Sequence, residues 1–211
     1  MQIETELHSG QPPGASLITI GIFDGVHLGH QALLSQLITL SANRGLKPCV
    51  VSFKDHPTKI LNPKAKIPLL CSLDKRIDLI QGLGVDSVVP ITFSQEVSQL
   101  SPKIFLELLQ QHLNMAGLVV GPDFALGKDR QGTIPTLKTL AHDMNFTIDV
   151  IQPHLIKNEV ISSTAVRQAL KNGDMAHAFT FLGRPFMLQG SVVRGYQRGR
   201  QMGFPTANLA T

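Results

Sequence analysis

The stretch SLITIGIFDGVHLGHQALLSQLITLSANRGLKPCVVSF, residues 16–53, contains three successive apolar patterns. Its first segment, SLITIGIF, is a short apolar run followed by polar residues and glycine, which indicates a buried parallel strand. Apolar residues then recur at helical spacing up to Gly45, and glycine is a common C-terminal end of a helix. The segment KPCVVSF predicts a second strand. Strand, helix and strand in this order predict a βαβ unit.

The same alternation continues along the chain. Strands are predicted at DSVVPI, AGLVVG and FTIDVIQ, and helices at LDKRIDLIQ after Ser72, at KIFLELLQQHL after Ser101 and Pro102, and at IPTLKTLAHDMN. The buried stripe predicted for KIFLELLQQHL is Ile104, Phe105, Leu108 and Leu109. Five strands interleaved with helices predict an α/β fold, a Rossmann-like doubly wound parallel sheet. Ligands of such sheets bind at the carboxyl ends of the strands.

The predicted secondary structure changes from helices to strands and loops near Arg184. Before it, ISSTAVRQALKNG and DMAHAFTFLG predict two short helices. After it, the chain has a strand pattern, a Gly/Arg loop and a PTAN turn, without a helix signal. We therefore predict one domain over residues 1–184, and over residues 185–211 the start of a second domain that is too short to bury its own core.

Composition narrows the class of protein. Apolar residues make up 43% and charged residues 16%, which is typical of a globular chain. No apolar run reaches the length of a membrane span, and the acidic, polar N-terminus does not resemble a signal peptide, so a cytoplasmic location is expected. Cys49 and Cys71 have no CxxC spacing and are interpreted as reduced core thiols. Most of the net charge of +4 comes from Arg194, Arg198 and Arg200.

Two histidines mark the end of the first predicted strand. His27 and His30 lie three positions apart at the start of the following helix, which places both rings on one side. Gly25 and Gly29 let the backbone approach a ligand, and the helix N-terminus offers free N–H groups. This pattern indicates a cradle for phosphate. Taken alone, it also fits a helix cap beside an exposed histidine. A zinc site is not indicated, because the sequence nearby lacks the further ligands that zinc requires.

A second polar cluster, ISSTAVR, occupies residues 161–167. Ser162, Ser163 and Thr164 lie at a predicted helix start, and Arg167 follows one turn later. An ordinary N-cap with an exposed arginine would explain this cluster by itself. Together with the histidines, however, it is typical of the second half of a triphosphate site.

The order of five motifs resembles one family. A strand followed by FDGVHLGH, with ISSTAVR late in the same domain, is similar to the HxGH nucleotidyltransferase superfamily. With FKDHP, VVGPDFALG and RGRQMGFPTANL in addition, the chain resembles the prokaryotic bifunctional riboflavin kinase/FAD synthetase family. The resemblance implies an N-terminal module that joins FMN to ATP, giving FAD and pyrophosphate, without a covalent enzyme intermediate.

The resemblance also assigns roles to residues. His27, His30 and Arg167 would be catalytic, with the histidines neutralising charge at the α-phosphate and the ISSTAVR residues holding the leaving phosphates. The implied ATP-binding residues are Gly21, Phe23, Gly25, His27, Gly29, His30, Ser162, Ser163, Thr164 and Arg167. The implied FMN-binding residues are His56, Pro57, Asp123 and Phe124. Lys54 and Asp55 stand where the family often has Glu-Pro, and Ile22 where a polar residue is common.

The C-terminal segment resembles the opening of a riboflavin kinase barrel. Gly195 and Gly199 would belong to its phosphate-covering loop, and Thr206 and Asn208 would bind Mg²⁺ through oxygen atoms. The catalytic acid of that family lies further downstream. The resemblance therefore implies a fragment of a longer protein that does not itself phosphorylate riboflavin, with Mg²⁺ as cofactor and ATP and FMN as substrates.

Three other functions stay open at the level of sequence. A related nucleotidyltransferase could act on another phosphate acceptor, although such enzymes lack the GFPTAN segment. A nucleic-acid-binding module could use the tail arginines, but with one Tyr and no Trp the chain has little stacking surface, so neither nucleic acid nor membrane is expected as a partner. An inactive flavin binder is the third. A monomer is compatible with the sequence.

Overall fold

The centre of the molecule is a five-stranded parallel sheet, seen in a computed structural model that describes residues 1–153, 155, 156, 159–204 and 206–210. The strands are β1 (Ser16–Gly21), β2 (Lys47–Phe53), β3 (Ser87–Ile91), β4 (Met115–Val120) and β5 (Thr147–Val150). Their spatial order is β3-β2-β1-β4-β5, and every neighbouring pair is parallel. The predicted Rossmann-like α/β sheet is confirmed.

Helices cover both faces of this sheet. They are α1 (Gln2–Ser9), α2 (Leu28–Arg44), α3 (Thr58–Leu61), α4 (Leu73–Gln81), α5 (Gln95–Ser98), α6 (Pro102–Leu113), α7 (Ile134–Asp143), α8 (Ser163–Lys171) and α9 (Met175–Leu182), with a 3₁₀ turn at Lys128–Arg130. Ser72 and Ser101 cap α4 and α6 as predicted, since each hydroxyl accepts the N–H three residues on. Of the described helices, none is both long and apolar enough to cross a bilayer.

Two apolar layers hold the helices against the sheet. Leu34 and Leu37 of α2 pack with Ile80 of α4 on one face. On the other face α1, α6 and α7 supply the packing, with Leu7 and Leu109 fully buried. Because the strands are covered on both sides, their sequences are continuous apolar runs and not alternating ones.

The predicted buried stripe of α6 was wrong at one position. Ile104 is 47% exposed, whereas Phe105, Leu108 and Leu109 are buried as predicted, together with Leu106 and Leu113. A step of about 100° per residue turns Ile104 away from that stripe toward solvent. Helix α1 was not predicted, although its Ile3 and Leu7 are buried one turn apart.

Strands are added to one side of β1 first and to its other side from β4 onward. From β1 it proceeds outward to β2 and β3, and it then returns to form β4 on the other side of β1. The loops that follow β1 and β4 therefore diverge and leave a crevice at the carboxyl edge, where ligands of such sheets bind. The loop after β1 carries the histidine motif.

A short hairpin and a C-terminal segment complete the described chain. β6 (Leu155–Ile156) pairs with β7 (Glu159–Val160), and β8 (Ser191–Val193) pairs with β9 (Asn208–Ala210), both antiparallel. A helical turn, α10 (Arg198–Gln201), lies where no helix was predicted. Pro205 of the PTAN turn is outside the described residues.

Candidate active site

The two histidines of the β1 loop are stacked on each other. His27 is the N-cap of α2, and its Nδ1 accepts the His30 N–H at 3.3 Å. The ring centroids are 3.6 Å apart with an angle of 16° between the planes. Phe23 packs with its edge toward His30 at 5.1 Å. The three-residue spacing thus places both imidazoles on one side of the helix start.

Both imidazoles are neutral in the free site. Burial, together with the nearby Arg184 and Arg167 guanidinium groups, lowers the pKa of His27 to about 4. Desolvation, and then the proximity of His27 and Arg76, lowers the pKa of His30 well below its usual value. Neutral rings carry no positive charge, so the predicted neutralisation of phosphate charge would have to come from hydrogen bonds that they donate.

His27 makes stability depend on pH. Its pKa is 6.5 in an unfolded chain and about 4 in the fold, so between these values the unfolded state binds more protons. The free energy of unfolding should therefore fall as pH drops from 6.5 toward 4, by about 3 kcal/mol for this group. Denaturant titrations at several pH values measure it. His27→Asn, which keeps a capping side chain, should flatten that slope, and an unchanged slope would contradict the assignment.

A carboxylate that was not predicted lies beneath the loop. Asp24 is 2% exposed, and it accepts the N–H groups of Leu70, at 2.9 and 3.0 Å, and of Cys71 at 3.4 Å. Its Oδ2 also forms an ion pair with Nη2 of Arg167. The Nε of Arg167 donates to the Pro68 carbonyl at 2.8 Å. Arg167 is therefore fixed in place by a buried partner and is not a free surface cation.

Asp24 also connects the histidine loop to the ISSTAVR motif. Ser162 caps α8 by accepting the Ala165 N–H, and the Ser163 hydroxyl donates to the Asp24 carbonyl at 3.0 Å. Thr164 is exposed at the same helix start. The N-termini of α2 and α8, 135 residues apart between Leu28 and Ser163, thus lie side by side. Each presents the partial positive charge of a helix N-terminus.

Arg76 holds the start of the β1 loop, whose backbone is strained. Arg76 is fully buried, and its Nη1 donates to the carbonyls of Ile22 at 2.6 Å and Phe53 at 2.7 Å. Phe23 and Val26 adopt left-handed backbone conformations, with φ of 52° and 38°, which side chains disfavour. The loop is therefore strained and is held by contacts from outside it.

Gly25 and Gly29 have separate reasons to lack a side chain. Gly25 has φ of 77°, and a Cβ there would lie 2.8 Å from the Leu70 side chain. A Cβ at Gly29 would lie 3.2 Å from both the His27 ring and the Ile161 carbonyl. Gly29 therefore allows the histidine loop and the segment leading to α8 to approach each other closely.

Two hollows open at this edge of the sheet. The polar hollow, about 310 Å³, is lined by His27, Gly29, His30, Asp123, Phe124 and Ile161 among others. The apolar hollow, about 330 Å³, is lined by Gly21, Ile22, Phe53, Pro57, Phe93, Phe105, Phe124 and Arg130 among others. Phe124 lines both. The polar hollow contains both imidazoles and the N-terminus of α2 and extends to Ile161, next to the N-terminus of α8, while Ser162, Ser163, Thr164 and Arg167 are not among its lining residues. Imidazoles at a helix N-terminus suit phosphate, whereas the apolar hollow suits a flat aromatic group.

Two further predicted site residues, His56 and Phe23, do not line the polar hollow. His56 lines a third hollow beside Lys59 and Lys66, whereas its neighbour in sequence, Pro57, lines the apolar hollow. Its Nδ1 accepts the Thr58 N–H at 3.2 Å. Phe23 is buried beneath His30 and shapes the loop. Cys71 is only half-buried, so the expectation of a core thiol was wrong for it, while Cys49 is buried; both are free thiols.

The predicted metal ligands are in the C-terminal segment. Thr206 and Asn208 line a hollow of about 180 Å³ with Arg194, Gly195 and Arg200. These side chains supply neutral oxygens and two cations, and no carboxylate. Throughout the described ranges, no group of three or more His, Cys, Asp or Glu side chains is placed to hold a metal ion.

Known proteins match the chain over most of its length. Residues 10–165 match the family model described as FAD synthetase, and residues 182–211 match the one described as riboflavin kinase. A Buchnera aphidicola protein named bifunctional riboflavin kinase/FMN adenylyltransferase is 36% identical over 92% of this chain and 63% of its own length. A Pseudomonas fluorescens protein of the same name is 36% identical over 99% of this chain and 68% of its own.

One solved structure supports the fold. It is named a macrolide-efflux protein from Streptococcus pneumoniae, and it superimposes with a TM-score of 0.87 at 28% identity, covering 100% of this chain and 67% of that one. The chain spans 61 to 63% of the length of three of the curated relatives that it matches.

Proposed function

The chain belongs to the FAD synthetase family, and on that premise we propose that it transfers the adenylyl group of ATP to FMN, giving FAD and pyrophosphate. The observation that carries the proposal is the pair of adjoining hollows that share Phe124. One offers imidazoles and the N-terminus of α2, with Ile161 before α8 at its edge, to a polyphosphate, and the other offers aromatic walls to an isoalloxazine. A reaction that joins a nucleotide to a flavin needs both kinds of surface next to each other.

The chemical step is a displacement at phosphorus. An oxygen of the FMN phosphate forms a bond to the α-phosphorus of ATP while the bond from that phosphorus to the β-phosphate oxygen breaks, and pyrophosphate leaves with the electron pair. His27 and His30 would donate hydrogen bonds to the α-phosphate as negative charge grows there. Arg167 and the N-terminus of α8, with Ser162, Ser163 and Thr164, would hold the β- and γ-phosphates. Positioning and electrostatic stabilisation are then the main contributions of the protein.

We propose that Mg²⁺ reaches this site on the ATP polyphosphate. The carboxylate of the histidine loop itself, Asp24, is already engaged by two amides and by Arg167, so it has little capacity left to bind a metal ion. When bound, the ion would neutralise charge on the leaving pyrophosphate.

The flavin side of the site is assigned to the apolar hollow. Pro57 and Phe124 line it, as the resemblance implies, and Phe53, Phe93 and Phe105 add aromatic surface. Asp123 lies in the polar hollow beside Phe124, where it would face the nucleotide. We assign no flavin contact to His56, whose ring lines a different hollow.

The C-terminal segment is proposed to belong to a riboflavin kinase domain of a longer protein. Thr206 and Asn208 would there bind Mg²⁺ together with phosphate oxygens, which supply the negative charge that the segment lacks. We further propose a cytoplasmic setting in which the partners are the small-molecule substrates.

The direct test supplies the chain with ATP, Mg²⁺ and FMN and measures FAD and pyrophosphate. We expect the two products in equal amounts, and no FMN when riboflavin replaces FMN. A panel with phosphopantetheine and nicotinamide mononucleotide as acceptors tests the related nucleotidyltransferase. Pyrophosphate release with another acceptor but not with FMN would contradict the proposal, and so would a salt-sensitive complex with an oligonucleotide without product.

A further inference from the structure

Arg184 lies in the segment that matches riboflavin kinase but binds the loop that follows β1. Its Nη2 donates to the Gly25 carbonyl at 2.5 Å, and its Nη1 donates to the carbonyls of Val26 at 3.1 Å and Leu182 at 3.2 Å. In the part of the chain that the structure describes, no carboxylate pairs with this guanidinium. It is therefore committed to backbone carbonyls of the histidine loop.

These contacts fix the direction of two successive peptide groups. The carbonyls of Gly25 and Val26 both point toward Arg184, and in a trans peptide the following N–H points the opposite way. The N–H of Val26 is used by the Phe23 carbonyl at 3.0 Å, whereas no acceptor among the described residues takes the N–H of His27. The His27 N–H thus faces away from the arginine and is available to a ligand.

The loop needs such a restraint. Val26 is β-branched and has φ of 38°, a conformation that is costly for its side chain. Gln31 provides a second restraint, since its Nε2 donates to the same Val26 carbonyl at 2.9 Å and to Leu182 at 3.1 Å. Rotation of the peptide between Gly25 and Val26 would change this φ and relieve the strain, but it would turn the Gly25 carbonyl away from Arg184 and disturb the next peptide, whose N–H belongs to His27.

We propose that Arg184 is a positioning residue for adenylyl transfer, which keeps the peptides from Gly25 to His27 oriented so that ATP phosphates meet N–H groups and not carbonyls. This inference rests on the proposed function. It means that the segment matching riboflavin kinase supplies part of the adenylyl-transfer site, and that the two matched segments are joined by a side chain as well as by the backbone.

The test compares Arg184→Ala and Arg184→Lys with Arg198→Ala, which removes an exposed arginine from the same segment. The affinity for α,β-methylene-ATP and the KM values for ATP and FMN are measured for each. We expect Arg184→Ala to weaken ATP binding by roughly tenfold or more, as the loss of a charged hydrogen bond would. The KM for FMN should change by less than about twofold, and Arg198→Ala should match the parent. The ATP affinity of Arg184→Lys, whose ammonium group can reach one carbonyl, should lie between that of the parent and that of Arg184→Ala.

A chemical rescue separates positioning from a general structural role. Millimolar guanidinium ion should restore ATP affinity to Arg184→Ala and leave the parent unchanged. Equal loss of ATP and FMN binding, absence of rescue, or a parent-like Arg184→Ala would each overturn the proposal. A parent chain that binds ATP but forms no FAD would refute the proposed function alone, because the ATP-affinity comparison still decides on Arg184.

Discussion

Replacing His30 with alanine should lower the turnover number for FAD formation by roughly 100-fold to 1000-fold. The His30 ring lies between Phe23 and His27 at the polar hollow, and its Nδ1 is buried without a partner among the described residues. A neutral imidazole held in this way is preorganised to donate to charge that develops only in the transition state. The affinity for FMN should change by less than about twofold, since the apolar hollow is left intact.

The matched control is His142→Ala, which removes an exposed histidine at the end of α7. Its turnover should equal that of the parent. Initial rates at saturating ATP and FMN measure both variants, and fluorescence titration measures FMN binding. Parent-like turnover in His30→Ala would remove the catalytic role assigned to this residue.

Replacing Asp24 with alanine should have the largest effect on stability. The change leaves the Arg167 guanidinium, at 18% exposure, without its carboxylate and leaves the N–H groups of Leu70 and Cys71 without their acceptor. Breaking a buried pair from one side typically costs about 3 to 5 kcal/mol. Denaturant unfolding at neutral pH measures this loss.

Asp149→Ala provides the comparison. Asp149 forms a two-point ion pair with Arg44, at 2.7 Å for each contact, on a more exposed part of the surface. Asp149→Ala should lower the free energy of unfolding by no more than about 1 kcal/mol. A double substitution of Asp24→Ala with Arg167→Met should recover part of the stability but no activity. Equal losses for Asp24→Ala and Asp149→Ala would contradict the buried linkage described for Asp24.

The sheet was predictable because strands that are buried on both faces have a recognisable sequence pattern. Its strands appear as short apolar runs that end at glycine or polar residues, and Ser101 with Pro102 marks the start of α6. Helix α1 carries only Ile3 and Leu7 as apolar contacts in a polar segment, too weak a pattern to be recognised. Ile104 shows the limit of periodicity, since an apolar residue at the edge of a stripe can face solvent.

The histidine and ISSTAVR motifs were found because each combines unusual residue types at a helix start. The role of Asp24 was missed although it lies inside the quoted motif, because its partners Leu70 and Arg167 are 46 and 143 residues away. Arg184 was identified only as the position near which the helix patterns of the sequence end. Contacts between side chains and distant backbone carbonyls have no signature in a single sequence, whereas they determine how this loop presents its amides.

Amide hydrogen exchange with and without α,β-methylene-ATP and Mg²⁺ tests the central claim most directly. If the N-termini of α2 and α8 hold one polyphosphate, peptides covering residues 27–31 and residues 162–167 should both gain protection at the same nucleotide concentration. The helix start at Ser101 should not change. Protection of one segment without the other would show that the two motifs do not share a ligand, and the proposed site would be wrong.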